Sequence, residues 1–482
     1  GAVVNPRGLR RLFGDRKRID EMPFYGEVAH ESVYFLTPRR ALRIPAPPTM
    51  RNHGNYVASL SQLGRFLAAE AEAGGSTILP ETPAVQLLVA DGRVRGVRTA
   101  DRGRGRQGEQ LGNFEPGSDV LGRVTVLAEG TQGHLTGAAI ERFSLQGANP
   151  QVWALGVKEV WRVARPLDRV IHTMGWPLRA GARYREFGGS FIYPMGEEMV
   201  SIGMVVGLDY RDAELSVHDV LQELKTHPRI RRILEGGERL EWGAKTIPEG
   251  GFLSLPKRLN APGLLLCGDG AGFVNVPALK GIHYAVESGR LAAEAAYAAL
   301  QRGEAVGRRG ALARYDESIR DSFVWSDLQR VRNMRPAFGL GFWAGGALAG
   351  AMTASLGKFP PRDFELEPDA EQDLIRTNRA ASYPAPDGTL TFDKLSSVFA
   401  SGNKTRDDQP SHIRIETRVP RELAQMWARM CPAQVYEVGE EDAGKVRVQV
   451  TPSNCVQCGA ITAKGGRLTP PEGGSGPEYT LT

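Results

Sequence analysis

The residues best able to do chemistry fall in two places. The first is residues 262–299, PGLLLCGDGAGFVNVPALKGIHYAVESGRLAAEAAYAA. Leu264-Leu265-Leu266-Cys267 is an apolar run of strand length that ends in Gly268-Asp269-Gly270-Ala271-Gly272. From Ile282 the pattern turns helical, with Ile282, Val286, Gly289, Ala293 and Ala296 on one face. A buried strand, a Gly-rich turn with one carboxylate and a small-residue helix let a chain approach a cofactor's diphosphate and sugar alcohol. Glycines admit the backbone, amide N–H groups receive phosphates, and an Asp accepts bonds from hydroxyls. The same turn also suits a plain strand-to-helix connection with a capping Asp. The second place lies near the C-terminus, where Cys431 of Met430-Cys431-Pro432-Ala433 and Cys455-Val456-Gln457-Cys458 gather three of the chain's four cysteines. C-x-x-C puts two thiolates on one loop and a remote Cys-Pro adds a third, which is how proteins ligate iron–sulfur clusters. A zinc site would need a fourth ligand, and no nearby His is obvious. So few cysteines make no disulfide framework and indicate metal chemistry in a reducing compartment.

The surrounding elements must position these groups. A chain of 482 residues buries a large core and divides into two to four domains. Sixty basic against 55 acidic residues, without a Lys/Arg block, imply no nucleic acid and permit an anionic membrane surface or an acidic partner. The start, GAVVNPRGLRRLFGD, lacks the basic leader and apolar core of a signal peptide. Asp91-Gly92 between two β-rich runs predicts a hairpin over 77–100, followed by a surface loop over 101–119. Val124, Val126 and Leu127 predict a strand ending at Ala128-Glu129-Gly130. A helix with Leu60, Leu63, Phe66 and Leu67 as its apolar face follows Asn52-His53-Gly54-Asn55-Tyr56. Residues 150–212 read as sheet, 213–260 as helical and polar, and 311–335 as a helix. Residues 336–357 carry no charge over 22 positions, but six are Gly and six are Ala. Arg332 and Arg335 flank one end, Lys358 and Arg362 the other, which suits a hairpin or tilted helix dipping into one leaflet with the basic residues at head groups.

GDGAGFVNVPALKGIH resembles the second FAD-contacting segment of flavoproteins of the glutathione-reductase and hydroxybenzoate-hydroxylase type. With NHGNY, AEGTQGHL, GGSFIYP, GAKTIPEGGF, DQPSHI and MCPAQVYE, it resembles more narrowly the electron transfer flavoprotein:quinone oxidoreductase family over nearly the whole chain. These are membrane-associated dehydrogenases with FAD and a [4Fe-4S] cluster. The resemblance implies a mixed α/β fold: an incomplete glutathione-reductase-like FAD domain, an inserted β-sheet quinone domain and a C-terminal ferredoxin-like iron–sulfur domain. The implied divisions are 1–135 and 261–335 for the FAD domain, 136–260 for the quinone domain, 336–360 for the membrane segment and 361–482 for the iron–sulfur domain. FAD contacts are implied at Ala128, Glu129, Gly130, Gly268, Asp269, Gly270, Asn275, Val276, Lys280 and Gly281, quinone contacts at Gly188 and Gly189, and cluster ligands at Cys431, Cys455 and Cys458.

The family pattern departs in two places. The family carries a G-x-G-x-x-G unit upstream of a segment like Gly1–Val4, so the chain is expected to be truncated at its N-terminus and to hold FAD weakly. Ile461 stands where the family has its last cysteine, leaving a [3Fe-4S] centre, a [4Fe-4S] cluster with one non-protein or oxygen ligand, or a module without its cluster. The implied partners are an electron transfer flavoprotein, a quinone and a membrane surface, the cytoplasmic face of a bacterial inner membrane or the matrix side in mitochondria. A geranylgeranyl-reductase-type reductase or monooxygenase, without need of the C-terminal module, is the enzymatic alternative. A non-catalytic subunit binding a flavoprotein is the other.

Overall fold

A computed structural model describes residues 2–308 and 310–482. Its largest element is a seven-stranded sheet, in the order 238–248, 153–162, 199–207, 188–195, 170–175, 31–36, 41–44. All neighbours are antiparallel except 170–175 with 31–36, which run parallel from Val170↔Glu31 to Gly175↔Leu36. The sheet reading of 150–212 therefore holds, and the sheet reaches beyond it on both sides. Two of its strands come from residues 31–44, so the division at 135 does not hold for them. The other addition, Glu238–Pro248, is an eleven-residue strand inside the stretch read as helical. Its charges misled the reading. Glu241 is buried because its carboxylate accepts backbone N–H groups from Thr480 (2.7 Å) and Thr482 (2.7 Å).

The helices Val217–Thr226 and Pro228–Leu234 cover one face, and their Val220, Leu221, Leu224, Ile230 and Leu234 enter a core with Trp161 and Trp242. That core continues without a break into the C-terminal module, through Trp427, Met430 and Val448. The module pairs a hairpin, Tyr436–Asp442 with Lys445–Val450, against the helix Arg421–Met430.

The part that the resemblance assigns to the flavin has a small sheet. Thr125–Leu127 and Leu264–Leu266 run parallel, and Asn260–Ala261 adds antiparallel. Leu264, Leu265 and Leu266 are fully buried, as a strand with both faces covered requires. The helix Ile282–Gln301 follows, but its buried side carries Tyr284, Glu287, Ser288, Leu291, Ala292, Ala295 and Ala299, not the predicted stripe. Two polar groups are buried there because each has a partner. Ser288 Oγ accepts the Gly268 N–H (3.0 Å), and Glu287 accepts from Arg11 (2.8 Å) and Arg290 (2.9 Å).

The hairpin around Asp91-Gly92 forms as predicted, with both turn residues at positive φ. Residues 101–119 are more ordered than a loop: Arg102–Arg104 pairs with Gln110–Glu115, and Asp119–Leu121 extends the hairpin. The helix expected over 311–335 is broken at Ser322, which caps a new helix through Val324 N (3.2 Å).

Candidate cofactor sites

The parallel register brings the two Gly-rich turns together. Leu127 lies opposite Leu266, so Ala128-Glu129-Gly130 and Gly268-Asp269-Gly270 leave the small sheet side by side. Gly130 and Gly268 adopt positive φ (74° and 64°), and a Cβ on Gly130 would meet no atom within 4 Å, which leaves an open cradle there. Glu129 is committed within the protein, because its carboxylate accepts the Leu135 and Thr136 N–H groups (3.1 and 2.6 Å) and so caps the helix His134–Arg142. Asp269 is different. Among the described residues nothing donates to its carboxylate, and burial raises its pKa to about 6. A half-buried carboxylate without a partner, beside bare glycines, fits a group carrying hydroxyls.

Residues 275–280 form a compact turn in which Asn275 N donates to the Lys280 carbonyl (2.8 Å) and Asn275 Oδ1 accepts the Ala278 N–H (3.1 Å). Val276 is buried, and Gly281 packs against Asp269, leaving 3.4 Å between its missing Cβ and Oδ1. The turn aims Lys280 inward. Its Nζ reaches the Ala278 carbonyl (3.3 Å), and burial pushes its pKa down to about 8 against the pull of Glu31. Burial, and then Lys280 itself, hold His172 down at about 3; His172 bonds Tyr193 through Nε2 (2.9 Å) while Nδ1 is buried without a partner. Sequence reasoning missed His172 and Glu31. A single His inside the strand Val170–Gly175 carries no signal until the fold brings Lys280 to it. In the NHGNY segment Asn52, rather than His53, does the holding: its N–H and Nδ2 both donate to Glu31 (3.0 Å each), and His53 is exposed.

Gly188 and Gly189 open the strand Gly188–Met195. A Cβ on Gly188 would stand 2.1 Å from the Val205 carbonyl and one on Gly189 2.4 Å from the Thr173 carbonyl, so the neighbouring strands already require both glycines.

The three C-terminal cysteines converge on one cavity, lined also by Tyr436, Val456, Gly459 and Ile461. Cys431 ends the helix Arg421–Met430, and Cys455 and Cys458 sit on the loop before the helix Ala460–Ala463. Burial raises all three thiols, Cys458 to about 12, and each of Cys455 and Cys458 is raised further by its neighbours' sulfur charge. Val435 N–H points at Cys431 Sγ and Gln457 N–H at Cys455 Sγ, both at 3.4 Å, the donors that thiolates require. Among the described residues no His, Cys, Asp and Glu group is set to hold a single metal ion; three thiols ringing one apolar cavity suit an iron–sulfur core instead.

One strand joins the two sites. Thr246 donates its N–H to the Cys458 carbonyl (2.8 Å), and its Oγ1 lies 3.0 Å from Thr131 Oγ1 in the turn after Gly130. Gly459 fits there only without a side chain, since a Cβ would stand 2.7 Å from Thr246 Oγ1. Lys245 Nζ donates to the Gln457 carbonyl (2.9 Å).

The uncharged segment forms the helices Met334–Ala337 and Phe342–Ala354 around Phe338–Leu340. Thirteen residues make a helix of about 20 Å, short of a bilayer, and among the described residues no helix is long and apolar enough to cross a membrane. Leu340, Trp343 and Leu356 are 60–70% exposed. The basic flank differs from the expectation. Arg335 is buried between Asp209 (2.7 Å) and Glu249 (2.8 Å), and Arg332 bonds Asp363 (2.9 Å) and the Gly357 carbonyl (2.6 Å), so neither faces a head group. Lys358 and Arg362 are exposed.

Two Gly-rich turns around an unpartnered carboxylate, a broad antiparallel sheet and a three-thiol cavity define a flavin-type oxidoreductase fold with an appended iron–sulfur module. A geranylgeranyl bacteriochlorophyll reductase-like protein from Thermoplasma acidophilum shares the fold, with a TM-score of 0.54 at 17% identity over 79% of this chain and 84% of its own. Family models described as "ETF-QO, ubiquinone-binding" and "Electron transfer flavoprotein-ubiquinone oxidoreductase, 4Fe-4S" match residues 153–247 and 388–480. The mitochondrial electron transfer flavoprotein-ubiquinone oxidoreductase of Arabidopsis thaliana is 40% identical over all of this chain and 77% of its own length. The probable bacterial enzyme of Acinetobacter baylyi is 37% identical over 99% and 89%. The chain belongs to the electron transfer flavoprotein-ubiquinone oxidoreductase family.

Proposed function

We propose that this chain takes electrons from a reduced electron transfer flavoprotein and delivers them to a quinone, using FAD and an iron–sulfur cluster. The observation that carries this reading is the Thr246 junction, which sets the cysteine loop directly on the turn that follows Gly130. FAD exchanges one or two electrons and an iron–sulfur cluster one, so a protein holding both converts single-electron input into two-electron quinone reduction.

The chain's own residues provide binding and polarity. Asp269 would accept hydrogen bonds from the cofactor's sugar hydroxyls, and the open space at Gly130 would admit its phosphates, the Gly268 amide being held by Ser288. Lys280, with its pKa pushed down to about 8, and neutral His172 keep a cation and an unpaired ring nitrogen together in a buried place where negative charge on a reduced flavin would be stabilised. Cys431, Cys455 and Cys458 would hold the cluster, with Ile461 at the remaining corner. Gly188 and Gly189 belong to the strand carried toward the quinone. Glutathione-reductase-like organisation of the FAD half fits the parallel pair and its following helix.

We also assign residues 336–357 to a membrane surface, where exposed Leu340, Trp343 and Leu356 enter the apolar boundary of one leaflet. That makes the protein peripheral, on the inner membrane of a bacterium or the mitochondrial one. The test is to supply dithionite-reduced electron transfer flavoprotein and a short-chain quinone to the flavin- and iron-loaded protein and follow quinone absorbance. Quinone reduction that stops in Cys455→Ala is the expected result. Equal rates without electron transfer flavoprotein, or equal rates in Cys455→Ala, would overturn the assignment.

A further inference from the structure

A cavity of about 440 Å³ lies between the helix Pro228–Leu234 and the sheet face that carries Ile171 and Ala41, and it shares no lining residue with the cysteine cavity. Its polar wall is made of Arg39, Arg169, Arg229, Arg232 and His227, whose Nδ1 accepts the Arg229 N–H (3.2 Å), with Asp168 as the one carboxylate. Asp168 is already paired with Arg169 through two parallel bonds of 2.8 Å. Arg229 donates to the Tyr34 hydroxyl and lies 4.0 Å over its ring, which fixes the guanidinium in place. Among the described residues Arg39 and Arg232 make no ion pair. The wall therefore carries an uncompensated excess of guanidinium charge, in the planar fork geometry that matches phosphate oxygens. Leu167 and Ile233 supply an apolar side. Such a mixture suits a phosphate attached to an aliphatic group.

The place of the cavity narrows the source. Arg39 sits in the turn closed by Thr37 N–H to the Arg40 carbonyl (2.9 Å), at the end of the strand Glu31–Leu36. Phe35, two residues before that turn, packs its ring on Phe342 (5.7 Å) and Trp343 (5.3 Å) of the exposed apolar segment. Gly175, paired with Leu36, leads into Ala180, whose carbonyl accepts the Phe342 N–H (3.3 Å). Arg39, four residues on from Phe35, thus ties one edge of the basic cavity to the surface assigned to the bilayer, although alternation along the strand sends Phe35 to the face opposite Leu36 and Ala41.

We propose that this cavity binds the phosphate of an anionic phospholipid and so selects the lipid composition on which the protein docks. The proposal rests on the membrane reading of residues 336–357 and adds a second determinant to it: apolar residues give attachment, and the arginines give preference for negative lipid.

The experiment is co-sedimentation of the flavin- and iron-loaded full chain with vesicles of phosphatidylcholine alone or with phosphatidylglycerol. At about 1 kcal/mol for each basic residue near an anionic surface, the two unpaired arginines give the parent a preference of about thirtyfold for the anionic vesicles. Arg39→Ala/Arg232→Ala should lose that preference and keep binding to phosphatidylcholine, whereas the charge-matched Arg414→Ala/Arg447→Ala should keep both. Unchanged flavin and iron content checks that each variant is folded. A parent that does not bind phosphatidylcholine vesicles refutes the membrane reading itself. A parent that binds both vesicles equally, or a preference that survives in Arg39→Ala/Arg232→Ala, overturns the lipid site. Thermal stabilisation of the parent by glycerol phosphate, without any vesicle preference, would make the ligand a soluble phosphate ester and overturn the lipid source.

Discussion

Replacing Ile461 by cysteine tests the ligand set at its weakest corner. Ile461 is 3% exposed, lines the cavity with Cys431, Cys455 and Cys458, and crowds Gly466, where a Cβ would meet its Cγ1 at 2.6 Å. An aliphatic side chain has no electron pair for iron, so at most three protein thiolates reach the cluster. A four-iron cubane held this way would lose its unligated iron on oxidation, with one Fe²⁺ released and one electron passed to dioxygen, leaving a [3Fe-4S]⁺ centre. Air-exposed protein should hold about three iron atoms per chain and show the EPR signal of an oxidised three-iron centre, while Ile461→Cys should hold about four and be EPR-silent as isolated. The substitution also removes buried aliphatic carbon, which costs the metal-free protein about 1–2 kcal/mol. Coordination by the new thiolate offsets this, so Ile461→Cys should melt below the parent without iron and above it when loaded. Iron and sulfide analysis, EPR and paired melting curves read the outcome. An air-stable four-iron cluster in the parent would refute the reasoning by showing a fourth ligand. A parent without iron after anaerobic preparation would refute it by showing that the cavity does not hold a cluster.

Other outcomes follow from single groups. Burial raises Asp269 from 3.8 to about 6, so the folded state resists its ionisation; the resulting penalty is absent below pH ~4, complete above pH ~6 and up to about 3 kcal/mol. Flavin-free Asp269→Asn should therefore be more stable than the parent at pH 7 and equal to it at pH 4, while binding FAD more weakly in a fluorescence titration. Glu159 is fully buried and accepts from Lys225 Nζ (2.7 Å) and Trp161 Nε1 (2.7 Å), so Glu159→Ala strands a buried cation and should lose about 3–5 kcal/mol in denaturant unfolding. Arg335→Ala strands Asp209 and Glu249 and should cost a similar amount. Trp343→Ser removes a side chain 66% exposed and should weaken partition into phosphatidylcholine vesicles by about thirtyfold, or about 2 kcal/mol, with the parent's binding unmoved by high salt.

What the sequence made legible was local chemistry with a fixed backbone reason. Asp91-Gly92 demanded a tight turn, Leu264–Leu266 had the apolar run of a doubly covered strand, and Cys455-x-x-Cys458 sat on one loop. What it concealed depended on distant partners. Glu241 made the strand Glu238–Pro248 look solvent-exposed until residues 480–482 supplied its donors. Glu287 and Ser288 turned the helix Ile282–Gln301 so that its buried face was not its most apolar one. Arg332 and Arg335 read as lipid-facing because the carboxylates they meet come from residues 209, 249 and 363. Lys280 was legible within its turn, but its effect on His172 depends on the strand Val170–Gly175 of the large sheet.

Glu238–Pro248 also orders the events of biosynthesis. It is an outer strand of the large sheet and the bench on which Cys458 rests. On a growing chain the bench, both Gly-rich turns and Lys280 leave the ribosome before any of the three cluster cysteines. The strands of the sheet are thus all made before the iron ligands, yet the donors to Glu241 come from residues 480–482 and follow the cysteines, so the bench is complete only when the whole chain is out. Because Thr246 touches Thr131 from that same bench, flavin bound at the turn after Gly130 would brace the floor that receives the cysteine loop. Loading flavin first should therefore raise the yield of iron insertion over that of a flavin-free chain, which iron and sulfide analysis would read.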